Sequence, residues 1–152
     1  MSQSPASNYL RTKIFTATPE QLQLMLYDGC IRFTEQAKQA LIARNYDESY
    51  RLFTRAQRII TELTCSLKQD VAPEICGKMA ALYNFCYIKL VEANTGHSIE
   101  SVEDALQILR YQRETWVLLM QELAQANAGK AAAKLDIPAP SEQMEARLSI
   151  AG

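Results

Sequence analysis

The side chains able to ligate a metal, carry a thiol or move a proton are few and scattered in this chain. It holds one histidine, His97, and four cysteines, Cys30, Cys65, Cys76 and Cys86. The cysteines stand 35, 11 and 10 residues apart, so there is no CxxC pair and zinc-site spacing is missing. Their plainer reading is as small hydrophobes packed on helices in a reducing compartment. A di-metal helical bundle needs inward Glu-x-x-His motifs, whereas His97 follows Gly96 in a solvated turn. Phosphate-binding glycine loops, the G-x-S-x-G elbow and H-E-x-x-H are all absent. Glu100, Glu103 and Asp104 cluster at a helix start, where carboxylates meet the positive end of the dipole. The expectation is a protein that is not an enzyme and takes no cofactor or metal; its chemistry is that of a surface.

That surface must be carried by helices. Five Gly and five Pro among 152 residues, with Pro5, Pro138 and Pro140 near the ends, leave a long middle with few breakers, which predicts an all-α domain. Thr18-Pro19-Glu20-Gln21 reads as N-cap, N1 proline and capping-box glutamine. The helix it opens runs to about Ile42, with Leu22, Leu26, Gly29, Phe33, Ala37 and Ala40 as core stripe. Asn45 caps the next, with Leu52, Phe53, Ala56, Ile59, Ile60, Leu63 and Leu67 on its core side, ending near Lys68. Pro73 opens a third, with Ile75, Met79, Leu82, Cys86, Leu90 and Ala93, closed by Asn94-Thr95-Gly96. Ser98 caps a fourth, whose stripe Val102, Ala105, Leu106, Leu109, Trp116, Met120 and Leu123 dissolves near Asn127 and Gly129. Short links force neighbours antiparallel, so the predicted fold is an up-down four-helix bundle. Residues 1–127 form it, with a core of about 18–127 and a short N-terminal arm or helix; residues 128–152 make a loosely attached tail, with a short helix over 141–149.

Charge and hydropathy narrow the partners. Sixteen Lys and Arg against seventeen Asp and Glu leave a net charge of −1, so no cationic field exists to hold nucleic acid. No apolar run approaches the ~20 residues of a membrane span, which predicts no insertion into a membrane. The opening MSQSPASNYLRTK has no apolar h-region, and a cytoplasmic location is expected.

What remains unexplained is surplus hydrophobicity. On the first core helix, Leu24, Tyr27 and Ile31 fall about 140–200° from Leu22, away from the predicted core stripe. Tyr83, Tyr87 and Val91 flank the stripe of the third, and Ile108, Tyr111 and Leu118 that of the fourth, whereas the second is apolar on one side only. Such surfaces are covered by the chain's own arm, by a second subunit or by a segment laid in a groove; a helix central to the packing would instead bury them. Periodicity leaves both readings open.

Particular strings carry a resemblance. Thr18-Pro19-Glu20-Gln21-Leu22 with Leu24-Met25-Leu26-Tyr27-Asp28-Gly29, then Arg55 through Leu63, Leu82-Tyr83 and Glu92-Ala93-Asn94 together resemble the flagellar export chaperones of the FliS family, from about Tyr9 to Trp116. The resemblance implies a small cytosolic helical bundle that binds the disordered C-terminal segment of flagellin, prevents its premature polymerisation and supports its export. It also implies the membrane export gate as a partner of the loaded complex, and an N-terminal tyrosine, here Tyr9, on an arm that shields part of the groove. The expected partner-binding set is Tyr9, Leu10, Ile14, Leu24, Tyr27, Ile31, Arg55, Tyr83, Tyr87, Val91, Ile108 and Tyr111. Gly29 is expected to allow close helix approach, Asp28 to be solvated or paired on a helix, Arg55 to bond a peptide or a neighbouring helix, and Asn94 to cap. The segment after about Ala124 has no counterpart in the family pattern. The alternative reading is a structural homodimer in which the extra apolar stripes pair two bundles, and a weak homodimer is compatible with the chaperone as well.

Overall fold

Capping chemistry starts the helices where the residues above place it. In the computed structural model, which describes residues 4–68, 70 and 72–134, every regular element is an α-helix: α1 Pro5–Thr16, α2 Pro19–Ile42, α3 Tyr46–Cys65, α4 Pro73–Gly96 and α5 Ile99–Lys134. Thr18 closes a full capping box: its Oγ1 accepts from the Gln21 amide at 3.1 Å, and its own amide donates to Gln21 Oε1 at 3.0 Å. Asn45 Oδ1 accepts from the Glu48 amide and Ser98 Oγ from that of Ser101. Both core turns after α2 and α4 use a non-glycine left-handed residue, Arg44 at φ 58° and His97 at φ 51°. α4 therefore runs through Asn94 and Gly96, and Asn94 lies inside the helix instead of capping it. His97 is not merely solvated, since its ring stacks on Tyr46 with centroids 4.0 Å apart.

The chain divides into two compact units, Met1–Trp116 and Val117–Gly152. In the first, α2 to α5 form an antiparallel bundle. α2 and α3 pack directly on each other, with Gly29 beside Ile59 and Cys30 against Ala56. α3 and α4 pack next, over Phe53, Ile60, Leu63, Tyr83 and Leu90. α5 closes the ring with long side chains. Asp28, Glu35 and Lys38 of α2 pair with Arg113, Arg110 and Glu103, and Lys89 and Glu92 of α4 meet Asp104 and Ser101.

The core stripe of α3 is the one read from the sequence; that of α4 keeps the expected Cys86, Leu90 and Ala93 and adds Cys76 and Tyr83, and that of α2 is turned, keeping only Gly29 and Ala37 among its buried residues. On α2 the buried side chains are Tyr27, Cys30, Thr34, Ala37 and Leu41, while Leu22 is 39% exposed. On α4 they are Cys76, Tyr83, Cys86, Leu90 and Ala93, and Ile75 is exposed. Tyr27 and Tyr83 are thus 1% and 0% exposed, so of the two readings left open burial within the packing holds for them, and neither offers the free partner surface expected of it. Their hydroxyls explain the burial: they hydrogen-bond to each other at 2.5 Å, which satisfies both polar tips inside the bundle. Thr34 Oγ1 donates to Cys30 O at 2.8 Å, and the Cys30 and Cys86 thiols point at Ala56 O and Ala105 O. Burial pushes both thiols up to about 12 and keeps them neutral. Cys76 is buried as well, whereas Cys65 is exposed.

α1 is the expected arm, a helix capped by Ser4 with no buried residue. α5 passes the expected stop at Asn127 and Gly129, because the alanines around them favour helix strongly enough to absorb one glycine. Leu123, placed in the core stripe above, is exposed; it belongs to the second unit, where α5 is the sole described helix. The tail helix over 141–149 and the Ile137-Pro138-Ala139-Pro140 stretch lie outside the described residues. None of the described helices is long and apolar enough to cross a membrane.

Candidate functional site

Two helices can leave a groove along their outer seam only if the flanking side chains are short or lie flat. Between α3 and α4 that condition holds. Thr61, Thr64 and Cys65 of α3 face Ala80, Asn84 and Tyr87 of α4 across a cavity of about 240 Å³, floored by Ile60 and the Tyr83 ring. Helical periodicity extends the same faces through Gln57, Thr54 and Tyr50 on one side and Val91 on the other. From Tyr50 to Thr64 the seam runs about 20 Å, and none of these positions carries a charge.

The threonines make this seam more apolar than its composition suggests. Thr54, Thr61 and Thr64 each donate their hydroxyl to the carbonyl one turn back, Tyr50, Gln57 and Ile60 respectively, at 2.8–3.1 Å. That leaves their methyl groups for the groove. The tyrosine hydroxyl beneath is spent on Tyr27, and burial raises the pKa of both rings, so no phenolate forms there near neutrality. No ion pair or side-chain hydrogen bond joins α3 to α4 among the described residues, in contrast to the pairs on either side of α5.

A second concavity lies at the end of the bundle where α2 begins. Pro19, Leu22, Gln23, Leu26, Leu67, Met79 and Trp116 line about 480 Å³ there. The Trp116 indole is fixed by donating Nε1 to the Glu20 carbonyl at 3.1 Å. Leu22, expected as core, is 39% exposed in this socket, whereas Leu26, Leu67, Met79 and Trp116 pack against the core as expected and also line its walls. α1 approaches α2 through Ala17 and Thr18, both extended, and holds Tyr9, Leu10, Ile14 and Phe15 exposed.

The twelve expected partner-binding residues do not form one surface. Tyr87 and Val91 line or continue the α3–α4 seam, with Tyr83 as its floor and Tyr27 below it. Leu24 and Ile31 fall on the α2 face that also carries Asp28 and Glu35, both paired to α5, and are half-buried. Arg55 lies over the Phe33 ring at 5.5 Å, a cation–π contact to α2 in place of a salt bridge. Ile108 packs against the core from α5, and Tyr111 is exposed. Tyr9, Leu10 and Ile14 stand on α1. Gly29 has room beside it: a Cβ there would meet Ile59 Cδ1 at 3.4 Å, so close approach does not demand glycine.

Asn84, Thr61, Thr64 and Ala80 escaped the sequence reading. The signal that could have found Ala80 and Asn84 is an absence, the run from Met79 to Ile88 without a charge. It becomes a groove only once α3 presents an uncharged face opposite.

A family model described as flagellar protein FliS matches residues 1–123. A flagellar secretion chaperone FliS of Bacillus subtilis (strain 168) is 31% identical over 119 residues, 78% of this chain and 88% of the relative. The flagellar secretion chaperone FliS of Escherichia coli (strain K12) is 24% identical over 116 residues, 76% of this chain and 85% of the relative. A solved structure described as a flagellar chaperone from bacteria matches with a TM-score of 0.65 at 16% identity, covering 78% of this chain and 99% of its own. At that identity it speaks for the fold.

Proposed function

The chain belongs to the FliS family of flagellar proteins, and from that premise we propose that it is a cytoplasmic export chaperone whose client is the disordered C-terminal segment of flagellin. The observation that carries this reading is the α3–α4 seam, about 20 Å long and without charge. A segment that polymerises through apolar helical stripes is uncharged along those stripes. Laid in the seam as a helix, it would bury them against Tyr87, Val91 and the threonine methyls and lose several kcal/mol to ordering. Binding of that kind is specific and releasable, as handing the client to a membrane export gate requires. α1 fits the role of an arm over part of the binding surface, because it carries Tyr9, Leu10 and Ile14 and commits none of them to the core.

Calorimetric titration with full-length flagellin, and with flagellin lacking its C-terminal segment, tests the reading while chromatography follows stoichiometry. The expected result is one client per chain, lost with the truncation. Tyr87→Glu, on an exposed seam position, should weaken binding at least about tenfold by placing a charge against apolar surface, with thermal unfolding unchanged. No binding to either flagellin would overturn the proposal. A dimer that hides Tyr87 in the absence of client would favour the homodimer instead.

A further inference from the structure

α4 has an outer face that neither the core nor the α3–α4 seam uses. From Met79 to Ile88 no side of the helix carries a charge, a pattern that belongs to a helix covered all round. Its inner side meets the core through Cys76, Tyr83, Cys86 and Leu90, and Tyr87 turns toward α3. On the opposite side Ala81, Phe85 and Ile88 stand exposed, the last two at 42% and 47%. Spacings of three and four set Lys78, Ala81, Phe85, Ile88 and Glu92 in one straight row along that side.

The row is complementary to itself when run backwards. An antiparallel copy with its two-fold axis at Phe85 sets that ring against its own counterpart, Ile88 against the small Ala81, and Lys78 level with Glu92 at both ends. A parallel copy would oppose lysine to lysine and glutamate to glutamate. Both charges are available: Lys78 is exposed and makes no ion pair among the described residues. Lys89 and Ser101 both bond Oε2 of Glu92, so its Oε1 has no partner among the described residues. We propose that two copies of this chain associate through antiparallel α4 helices, with Phe85, Ile88 and Ala81 at the centre and Lys78–Glu92 pairs at the ends. The contact is one helix wide and about 21 Å long, less than a permanent dimer buries, so the association is weak and concentration-dependent. Phe85 and Tyr87 lie about 200° apart around α4. The pairing therefore leaves Tyr87 uncovered, and it does not depend on the chaperone reading.

Light scattering of the full chain over a concentration series tests this. The wild-type mass should rise from one chain toward two. Phe85→Glu should weaken association at least about tenfold with thermal unfolding unchanged, because position 85 is exposed. Lys78→Glu and Glu92→Lys each place like charges at both ends and should each associate more weakly than wild type. An equimolar mixture of the two should recover the dimer, since every end of the mixed pair then joins opposite charges. A wild-type chain that stays single at every concentration, a dimer indifferent to Phe85→Glu, or a mixture no tighter than its components overturns the proposal. A single wild-type chain whose Phe85→Glu form loses flagellin affinity overturns it too, and gives this face to the client.

Discussion

Replacing Tyr27 by phenylalanine should destabilise the bundle more than replacing Tyr27 and Tyr83 together. The two hydroxyls lie 2.5 Å apart in a fully buried site, and Gln23 Nε2 reaches each only at 3.5 Å, the outer limit of a hydrogen bond. Either single substitution therefore strands one buried hydroxyl without an adequate partner, at a cost of roughly 1–3 kcal/mol. The double substitution removes both polar atoms and leaves two rings of unchanged shape, so its net cost should be below about 1 kcal/mol. Gln23 is half-buried and can turn to water. The coupling energy from urea unfolding of the four proteins should then be at least about 1 kcal/mol, measurable against a total of about 5–15. Additive single effects, with coupling under about 0.5 kcal/mol, would refute the pairing and reopen the view that Tyr27 faces outward. Tyr27→Glu would be expected to unfold the chain, since it buries a charge with no cation beside it.

Gly29→Ala should raise stability by about 0.5–1 kcal/mol and the melting temperature by about 1–4 °C, because glycine is costly inside a helix and the new Cβ meets only the flexible end of Ile59 at 3.4 Å; a lowered melting temperature would show that Ile59 cannot yield. In alkali the buried thiols set the limit. Their folded values lie near 12 against 9.0 in the open chain, so their contribution is complete below pH 9.0 and is lost as pH rises toward 12, with Tyr27 and Tyr83 acting in the same sense above 10.0. Urea midpoints should hold through neutrality and fall from about pH 9 upward; a flat profile beyond pH 10.0 would contradict that burial. In acid, Lys38 holds Glu103 below its usual 4.5, and Lys89 with Ser101 does the same to Glu92. Both folded values are depressed, so their contribution is present above 4.5 and fades below it, as a small, salt-sensitive step in the same midpoints. Deleting residues 1–17 should leave flagellin affinity intact or raise it if α1 competes for the groove; a large loss would make the arm part of the site.

The helices were legible because their ends are written locally. Thr18 with Gln21, Asn45 and Pro73 need only their neighbours to act, and α2 begins and ends, and α4 begins, where they were expected. The α3 face was legible too, since Leu52, Phe53, Ile60 and Leu63 oppose Arg51, Arg58 and Glu62. On α2 the true stripe keeps the expected Gly29 and Ala37 but runs through Cys30 and Thr34, which count for little beside Leu22, Leu26 and Phe33. The half-buried flanks outvoted the core. Tyr27 was misplaced for a related reason, because the hydroxyl that makes its burial acceptable belongs to a residue 56 positions away. No local pattern can announce such a partner.

The distribution of charge sets the α3–α4 seam apart from the other seams of the bundle. Three ion pairs tie α5 to α2, and Lys89–Asp104 with Ser101–Glu92 ties it to α4. At those two seams the long charged side chains already have partners, and a helix laid over them would have to desolvate paired charges for little return. The α2–α3 seam is filled by direct packing and covered by Arg55 over Phe33. At the α3–α4 seam the two helices are held by their core residues alone, and its outer faces carry methyl groups, one free amide and the rings of Tyr87 and Tyr50. Covering that surface removes apolar area from water and breaks no existing ion pair, so it is the seam where an added helix gains most and displaces least.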